Sequence, residues 1–224
     1  MSPISLSDDA LEQWPEEALE LLAAPSRMTE DAFDDWISTL ERARAEWVDG
    51  EVILMSPTSV RHFLIFGWLY QILERFVRVR GLGTVLGDGV AVRLRANGRS
   101  SRRFPDLMFV AQDRLHLIQE NYLAGPPDLA VEIVSPDSEK RDWVEKPGEY
   151  AAAGIREYWI IDPKAERFEA FRLDSTGAFV SFYNQSAGQF TSLVVSGFKF
   201  RIEWLWEEVL SYPEDALKEM GISA

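Results

Sequence analysis

Pro126-Pro127-Asp128-Leu129-Ala130-Val131-Glu132-Ile133-Val134-Ser135-Pro136 decides the fold; a charged run follows, then Lys146 to Ile155, then Glu157-Tyr158-Trp159-Ile160-Ile161-Asp162-Pro163. The three parts read as strand, helix, strand. Leu129 to Val134 is apolar and β-prone apart from Glu132, and a short apolar run bounded by prolines reads as a strand buried on both faces. An ionised carboxylate inside such a strand is costly without a partner. Glu132 therefore requires a cation, a metal ion or a proton of its own.

A second carboxylate, Asp106, follows Pro105 within another apolar run, Phe104 to Val110. Two carboxylates at adjacent strands, with a carbonyl and waters, make a Mg²⁺-type oxygen set; the carbonyl expected is that of Ile133. A metal so held activates water and stabilises charge on a transferring phosphoryl group. The structural alternative is that Asp106 caps the turn after Pro105 and Glu132 pairs with an interior Arg or Lys.

Lys146 bears on that choice. Trp143, Lys146, Tyr150 and Ala153 recur at helical spacing and share one face. With Trp143 and Tyr150 against the sheet, Lys146 points inward. There it orients an attacking water or neutralises transition-state charge, or it forms a buried ion pair and nothing more. Pro147 suits a first helical turn, so the helix is expected to begin near Lys146. Asp142 reads either as a solvent-facing acid or as an anchor for Lys146 or Arg141. Asp128 reads as a strand-start residue or as a supporting acid.

The 224 residues are 46% hydrophobic and 12% aromatic, enough for a substantial core. With no cysteine, disulfides and thiolate metal sites are excluded. No apolar run approaches the ~18 residues of a membrane span, and no signal pattern opens the chain; a cytoplasmic protein is expected. The net charge of -14 is unevenly spread. Residues 1–50 hold 13 acidic and 3 basic groups; residues 61–114 hold 4 acidic and 10 basic groups, all ten Arg. Arginine forks onto phosphate, and the bland alternative is a solvated Arg-rich face. The acidic N-terminal part is expected to mask these arginines.

Residues 1–28 read as an acidic extension, including a segment with Leu11, Trp14, Leu19 and Leu22. Thr29 caps an amphipathic helix through Phe33, Trp36, Ile37 and Leu40. Glu46 to Met55 is a hairpin turning at Asp49-Gly50, and Ser59 to Arg80 is a largely buried helix stopped by Gly81. On that helix Phe63, Phe66, Gly67, Tyr70, Leu73 and Val77 form the expected buried stripe, widened by Ile65, Leu69, Ile72 and Phe76. Gly83 to Leu94 and Phe104 to Val110 read as strands joined by the polar turn Ala96 to Ser101. Residues 111–125 read as a polar connection or a short helix. Phe168–Leu173, Phe179–Asn184, Gln189–Val195 and Phe198–Ile202 read as strands, and Glu203 to Leu210 as a closing helix. Tyr158 and Trp159 read as packing residues. His62 is either a packed, hydrogen-bonded histidine or a catalytic one, and His116 lies at the surface.

Pro105-Asp106, Val131 to Pro136, Asp142, Lys146, Tyr150-Ala151-Ala152-Ala153-Gly154-Ile155, Glu157-Tyr158-Trp159 and Asp162-Pro163 together resemble a known family. It is the bacterial putative restriction endonuclease family abundant in cyanobacteria, within the PD-(D/E)XK phosphodiesterase superfamily. The likeness includes Glu46, Asp49-Gly50-Glu51, Ser56-Pro57, His62 and Gly197-Phe198, and it covers about residues 29–210. It implies an α/β (α+β) domain with a restriction-endonuclease-like core, a mixed central β-sheet flanked by helices. It makes Asp106 the motif aspartate and Glu132 the motif acid. The superfamily's usual lysine would fall at Val134; in the resembled family it migrates to the following helix, where Lys146 stands. Glu46 matches an additional N-terminal acid, with Glu51 on the opposite hairpin arm as the competing choice.

The reading is a Mg²⁺- or Mn²⁺-dependent endonuclease acting on nucleic acid, DNA first, with no membrane partner and as a homodimer. Asp106, Glu132, Lys146 and Glu46 would be catalytic, and Asp106, Glu132 and Ile133 would hold the metal. Arg93, Arg95, Arg102 and Arg103 would contact phosphates. The rivals are a catalytically inactive nuclease-fold binding module and a metal-free hydrolase using Glu132 and Asp106 as an acid–base pair. The expected organisation is an extension at 1–28, the domain at 29–212 and a C-terminal tail at 213–224.

Overall fold

The computed structural model describes residues 26–39, 45–55, 58–87 and 89–222. In chain order it contains helix α1 (Glu30–Ser38), strands β1 (Ala45–Val48) and β2 (Glu51–Leu54), and the long helix α2 (Val60–Arg80). Strands β3 (Gly83–Gly87), β4 (Ala91–Ala96), β5 (Arg99–Arg103), β6 (Leu107–Ala111), β7 (Tyr122–Leu123) and β8 (Leu129–Ile133) follow. Then come helix α3 (Lys146–Ala153), strands β9 (Glu157–Asp162), β10 (Arg167–Leu173), β11 (Phe179–Asn184), β12 (Gln189–Thr191) and β13 (Lys199–Arg201), and helix α4 (Pro213–Glu219). The segment 1–24 anticipated as amphipathic lies outside the described residues.

Two sheets carry the fold. The central one runs β11-β10-β9-β8-β6-β3, and the second runs β2-β1-β5-β4-β7. The central sheet is mixed: β8 and β9 are parallel, while β6–β8 and β9–β10 are antiparallel. The expected strand–helix–strand unit is thus a β8–α3–β9 crossover, with β8 and β9 buried throughout. Leu107, Phe109, Leu129, Val131, Trp159 and Ile161 form one apolar layer with α2. Met108, Val110, Ala130, Tyr158 and Ile160 form another with Val92, Leu94 and Tyr150. Glu132 has the parity of Ala130 and so faces the second layer.

Local chemistry sets the boundaries. Asp49 and Gly50 take positive φ at the β1–β2 turn, as a type I′ hairpin requires. Ser59 caps α2 by accepting from the His62 amide, and Gly81 ends it in the left-handed region. The buried stripe of α2 is Ile65, Trp68, Leu69, Ile72, Leu73, Phe76 and Val77, rotated from the expected one, and Phe63 is exposed.

Three expectations are corrected. Residues 83–94 are not one strand: the chain turns near Gly89 and passes from the central sheet into the second. Of the expected turn Ala96 to Ser101 only Asn97 and Gly98 take positive φ, and Arg99–Arg103 is strand β5. Its polar side chains are tolerated inside because acids from other elements pair with them. Beyond β13, Ile202–Leu205 is a short 3₁₀ turn and the helix begins at Pro213. Ala216, Leu217, Met220 and Ile222 are buried against the α2 layer, so residues 213–222 pack as part of the domain and do not trail from it.

Asp128 ties three strands. It is fully buried and accepts from the Ala111 amide (2.7 Å), Arg114 Nη1 (2.7 Å) and Arg156. Burial alone would raise its carboxyl, but these donors outweigh it and hold it below the usual range. Asp128→Asn is therefore expected to cost about 2 kcal/mol at neutral pH. A carboxyl depressed on folding contributes stability above its unfolded value of about 3.9 and loses it as pH falls through the folded value. Urea denaturation should show the gap between the two proteins closing as pH drops below about 4.

Candidate active site

Asp106 sits where the chain leaves β5 in one sheet and enters β6 in the other. Pro105 supports that corner, because it cannot donate to either ladder. Leu107 pairs with Val131, so Asp106 lies directly across from Glu132. The Ile133 amide donates to Asp106 Oδ2 at 2.6 Å, and His62 Nε2 lies 2.8 Å from Oδ1. The two carboxylates predicted from sequence are brought together at the strand ends, and Ile133 lines the same cavity.

Lys146 reaches them from α3. Its Nζ lies 2.8 Å from Glu132 Oε2, 2.8 Å from Asp142 Oδ1 and 3.7 Å from Glu46 Oε1. Lys146 is only 2% exposed and Asp142 fully buried. Asp142 is thus the anchor for Lys146, not a solvent-facing acid. Ser138 holds it further, donating to Oδ2 at 2.5 Å. Glu132 Oε1 accepts from the Tyr150 hydroxyl at 2.7 Å.

A π turn at Arg141–Glu145 makes this convergence possible. There the Lys146 amide bonds to the Arg141 carbonyl, five residues back. Pro147 has no amide hydrogen to continue that register. The carbonyl it would have served is that of Asp142, and Tyr158 Oη donates to it instead, at 3.0 Å.

Glu46 is the site acid of the β1–β2 hairpin. It is buried, with Oε2 2.7 Å from Arg103 Nη1, whereas Glu51 is exposed and pairs with Arg27. Burial opposes ionisation of Glu46, but Lys146 and Arg103 outweigh it and lower its carboxyl to about 2. Glu132 goes the other way. Burial, with Asp142, Asp106 and Glu46 nearby, pushes it well above the usual range despite Lys146. Asp142 is likewise raised by burial, against Lys146 and Ser138. For Lys146, burial favours the neutral amine, yet Glu132, Glu46 and Asp142 dominate and keep it an ammonium. It is placed to donate hydrogen bonds to these carboxylates.

The four expected phosphate contacts do not share a surface. Successive strand residues face opposite ways, and β5 separates Arg102 from Arg103. Arg103 points to the site side, paired with Glu46 and doubly with Glu149. Arg102, on the other face, is buried against Glu30 and Asp34 of α1. Arg93 pairs with Asp34 at 2.8 Å, and Arg95 with Glu30 at 3.5 Å. Glu30 and Asp34 of α1 thus pair with these three arginines, away from the carboxylate pair. Arg141, which the sequence offers only as a partner for Asp142, lines the site cavity and pairs with Asp137. Tyr150 faces the sheet as its spacing implies, and the role of its hydroxyl on Glu132 leaves no spacing signal. His116 is exposed, as expected.

The site cavity is small, about 40 Å³, room for an ion and a water molecule. Glu46, Asp106, Glu132, Asp137 and Asp142 line it against Lys146 and Arg141. Among the described residues no cluster of three or more His, Asp or Glu forms a ready-made metal cage. Two adjacent carboxylates with an acid surplus still fit a hard divalent ion that keeps waters. No described helix is long and apolar enough to cross a membrane.

A family model described as "Uma2: putative restriction endonuclease" matches residues 31–203. Among solved structures, a putative nuclease belonging to DUF820 from Anabaena variabilis is similar at 16% identity and a TM-score of 0.62. That match covers 77% of this chain and 96% of the other, and it establishes the likeness of fold. No curated protein matches the chain.

Lys146→Met leaves Glu132 and Asp142 buried without their cation. A loss of about 3 kcal/mol is expected in urea denaturation at neutral pH. Because the orphaned carboxyls take up protons, the loss should shrink toward about pH 5.

Proposed function

The chain belongs to the Uma2 family of putative restriction endonucleases, and from that premise we propose a divalent-metal-dependent endonuclease that hydrolyses phosphodiester bonds, DNA first. Family and fold support a nuclease-like function. The observation that carries the finer reading is the meeting of Asp106 and Glu132 across β6 and β8 with Lys146 on Glu132 at 2.8 Å.

Asp106 and Glu132 would hold the ion, Mg²⁺ or Mn²⁺, with the Ile133 carbonyl and water completing an oxygen set. When bound, it would supply an activated water and charge stabilisation at the phosphoryl group. The residues present do the rest. The Ile133 amide fixes Asp106, and the Tyr150 hydroxyl fixes Glu132. Lys146, anchored by Asp142, presents an ammonium to the reacting centre and stabilises developing negative charge. Glu46 holds Lys146 and Arg103 in register. Arg141 at the cavity wall is placed to meet a phosphate. A two-fold homodimer would bring two such centres to the two strands of a duplex.

Calorimetric titration of Mg²⁺ and Mn²⁺ should show binding that Asp106→Ala and Glu132→Ala remove. Both variants should lose duplex cleavage, EDTA should abolish it, and Lys146→Met should lower kcat by about 10²–10³-fold. Cleavage that persists in EDTA would instead support the acid–base pair. Metal-dependent cleavage unaltered in Asp106→Ala would leave the carboxylates structural.

A further inference from the structure

A second hollow lies apart from the carboxylate pair and is wider than the cavity there. A cleft of about 530 Å³ opens between α3 and the second sheet, on the sheet face that also carries Glu46 and Arg103. Strand parity defines its sheet wall: Val48 follows Glu46 by two residues, Ile53 pairs with Glu46, and Leu94 pairs with Ser101. The opposite wall is the smooth side of α3, formed by Gly148, Ala152 and Ala153. A Cβ added to Gly148 would meet nothing within 4 Å, so that wall is flat and open. The cleft is a slot in which an apolar patch of Val48, Ile53 and Leu94 faces one of Gly148, Ala152 and Ala153, with charged and polar groups around both.

Its charged groups are already satisfied. At the floor Arg103 is held by Glu46 and Glu149, and Ser101 donates to Glu149. Arg99 pairs with Asp49, Glu51 with Arg27, and Glu145 with Lys140. A charged occupant would have to displace one of these pairs. A neutral, flat occupant would not, and apolar walls reward a flat face. Its polar edge would meet the Asn97 amide and the Ser100 hydroxyl along one rim.

We propose that this slot receives an unstacked nucleobase of the bound strand, next to the phosphate held at the carboxylate pair. The inference rests on the nuclease reading and names how that site engages its substrate. Slot and centre share a wall. Glu149 binds Arg103 at 2.6 Å, Arg103 binds Glu46 at 2.7 Å, and Glu46 lies 3.7 Å from Lys146. A nucleoside is small for 530 Å³, which leaves room for water and for all four bases. Little base selectivity follows.

Saturation-transfer NMR on the full chain tests this with adenosine, guanosine, cytidine and thymidine; ribose and inorganic phosphate serve as controls. Ala152→Trp and Gly148→Leu each fill the slot without touching Asp106, Glu132 or Lys146. The expected result is nucleoside signals in the parent, lost in both variants and absent for the controls. Affinity for a duplex of matched length should fall about tenfold in the variants. No nucleoside signal in the parent, or signals that survive both substitutions, would overturn the proposal. Nucleoside binding in a chain that cleaves nothing would keep the slot and remove the nuclease reading. Metal-dependent cleavage without any nucleoside signal would do the reverse.

Discussion

The Lys146 ammonium sits between Glu132, Asp142 and Glu46, almost wholly out of water. Each of those acids comes from a different part of the chain: β8, the π turn and β1. Burying any one of them alone would be prohibitive, and the shared cation makes the cluster tolerable. The second cation, Arg103, closes the arrangement by joining Glu46 to Glu149 on α3. Hairpin, crossover helix and both sheets are thereby clamped at one point. The same clamp divides the acids: Glu46 stays firmly ionised, while burial and the surplus of acids push Glu132 and Asp142 upward. That surplus is what a divalent cation would relieve.

The sequence was legible where one local rule decides the outcome. Apolar runs gave β8 and β9, helical spacing gave α2, and Asp49-Gly50 gave its hairpin. The inward course of Lys146 followed from its spacing to Tyr150. Glu132 declared itself as an acid in an apolar strand, and that anomaly led to its partner. Other features depend on partners far along the chain and leave no local trace. Ala96–Ser101 looks like a turn because its residues are polar, yet Arg99–Arg103 is a strand, buried from Ser101 onward, whose buried charges are met by Asp34, Glu46 and Glu149. The arginines looked like one basic surface by count. Parity places Arg102 and Arg103 on opposite faces, and each is already occupied.

Two features of the crossover depend on one another. Pro147 removes an amide hydrogen just after Lys146, and a regular α-helix through that point would lose a bond with nothing to replace it. The π turn shifts the lost bond to the Asp142 carbonyl, where Tyr158 on β9 supplies the donor. Tyr158 is therefore more than packing. It carries its ring in the apolar layer with Tyr150 and Phe171 and its hydroxyl at the turn that presents Asp142. π turns recur at functional sites because they re-aim side chains without breaking the helix, and here the re-aimed residue is the anchor of Lys146.

Val134 stands where the usual lysine of the resembled superfamily would fall. Residues 132 and 134 share the face that looks toward α3, and Val134 packs into that apolar layer. A lysine rooted at 134 and one rooted at 146 would approach the same carboxylate from the two sides of one interface. The helix root brings an advantage the strand root lacks. Asp142 lies one turn before Lys146 and Tyr150 one turn after it, so a single helical face supplies the ammonium, its anchor and the hydroxyl that fixes Glu132. Asp142, Lys146 and Tyr150 thus act as one rigid unit against Glu132, and Val134 continues the apolar layer beyond it.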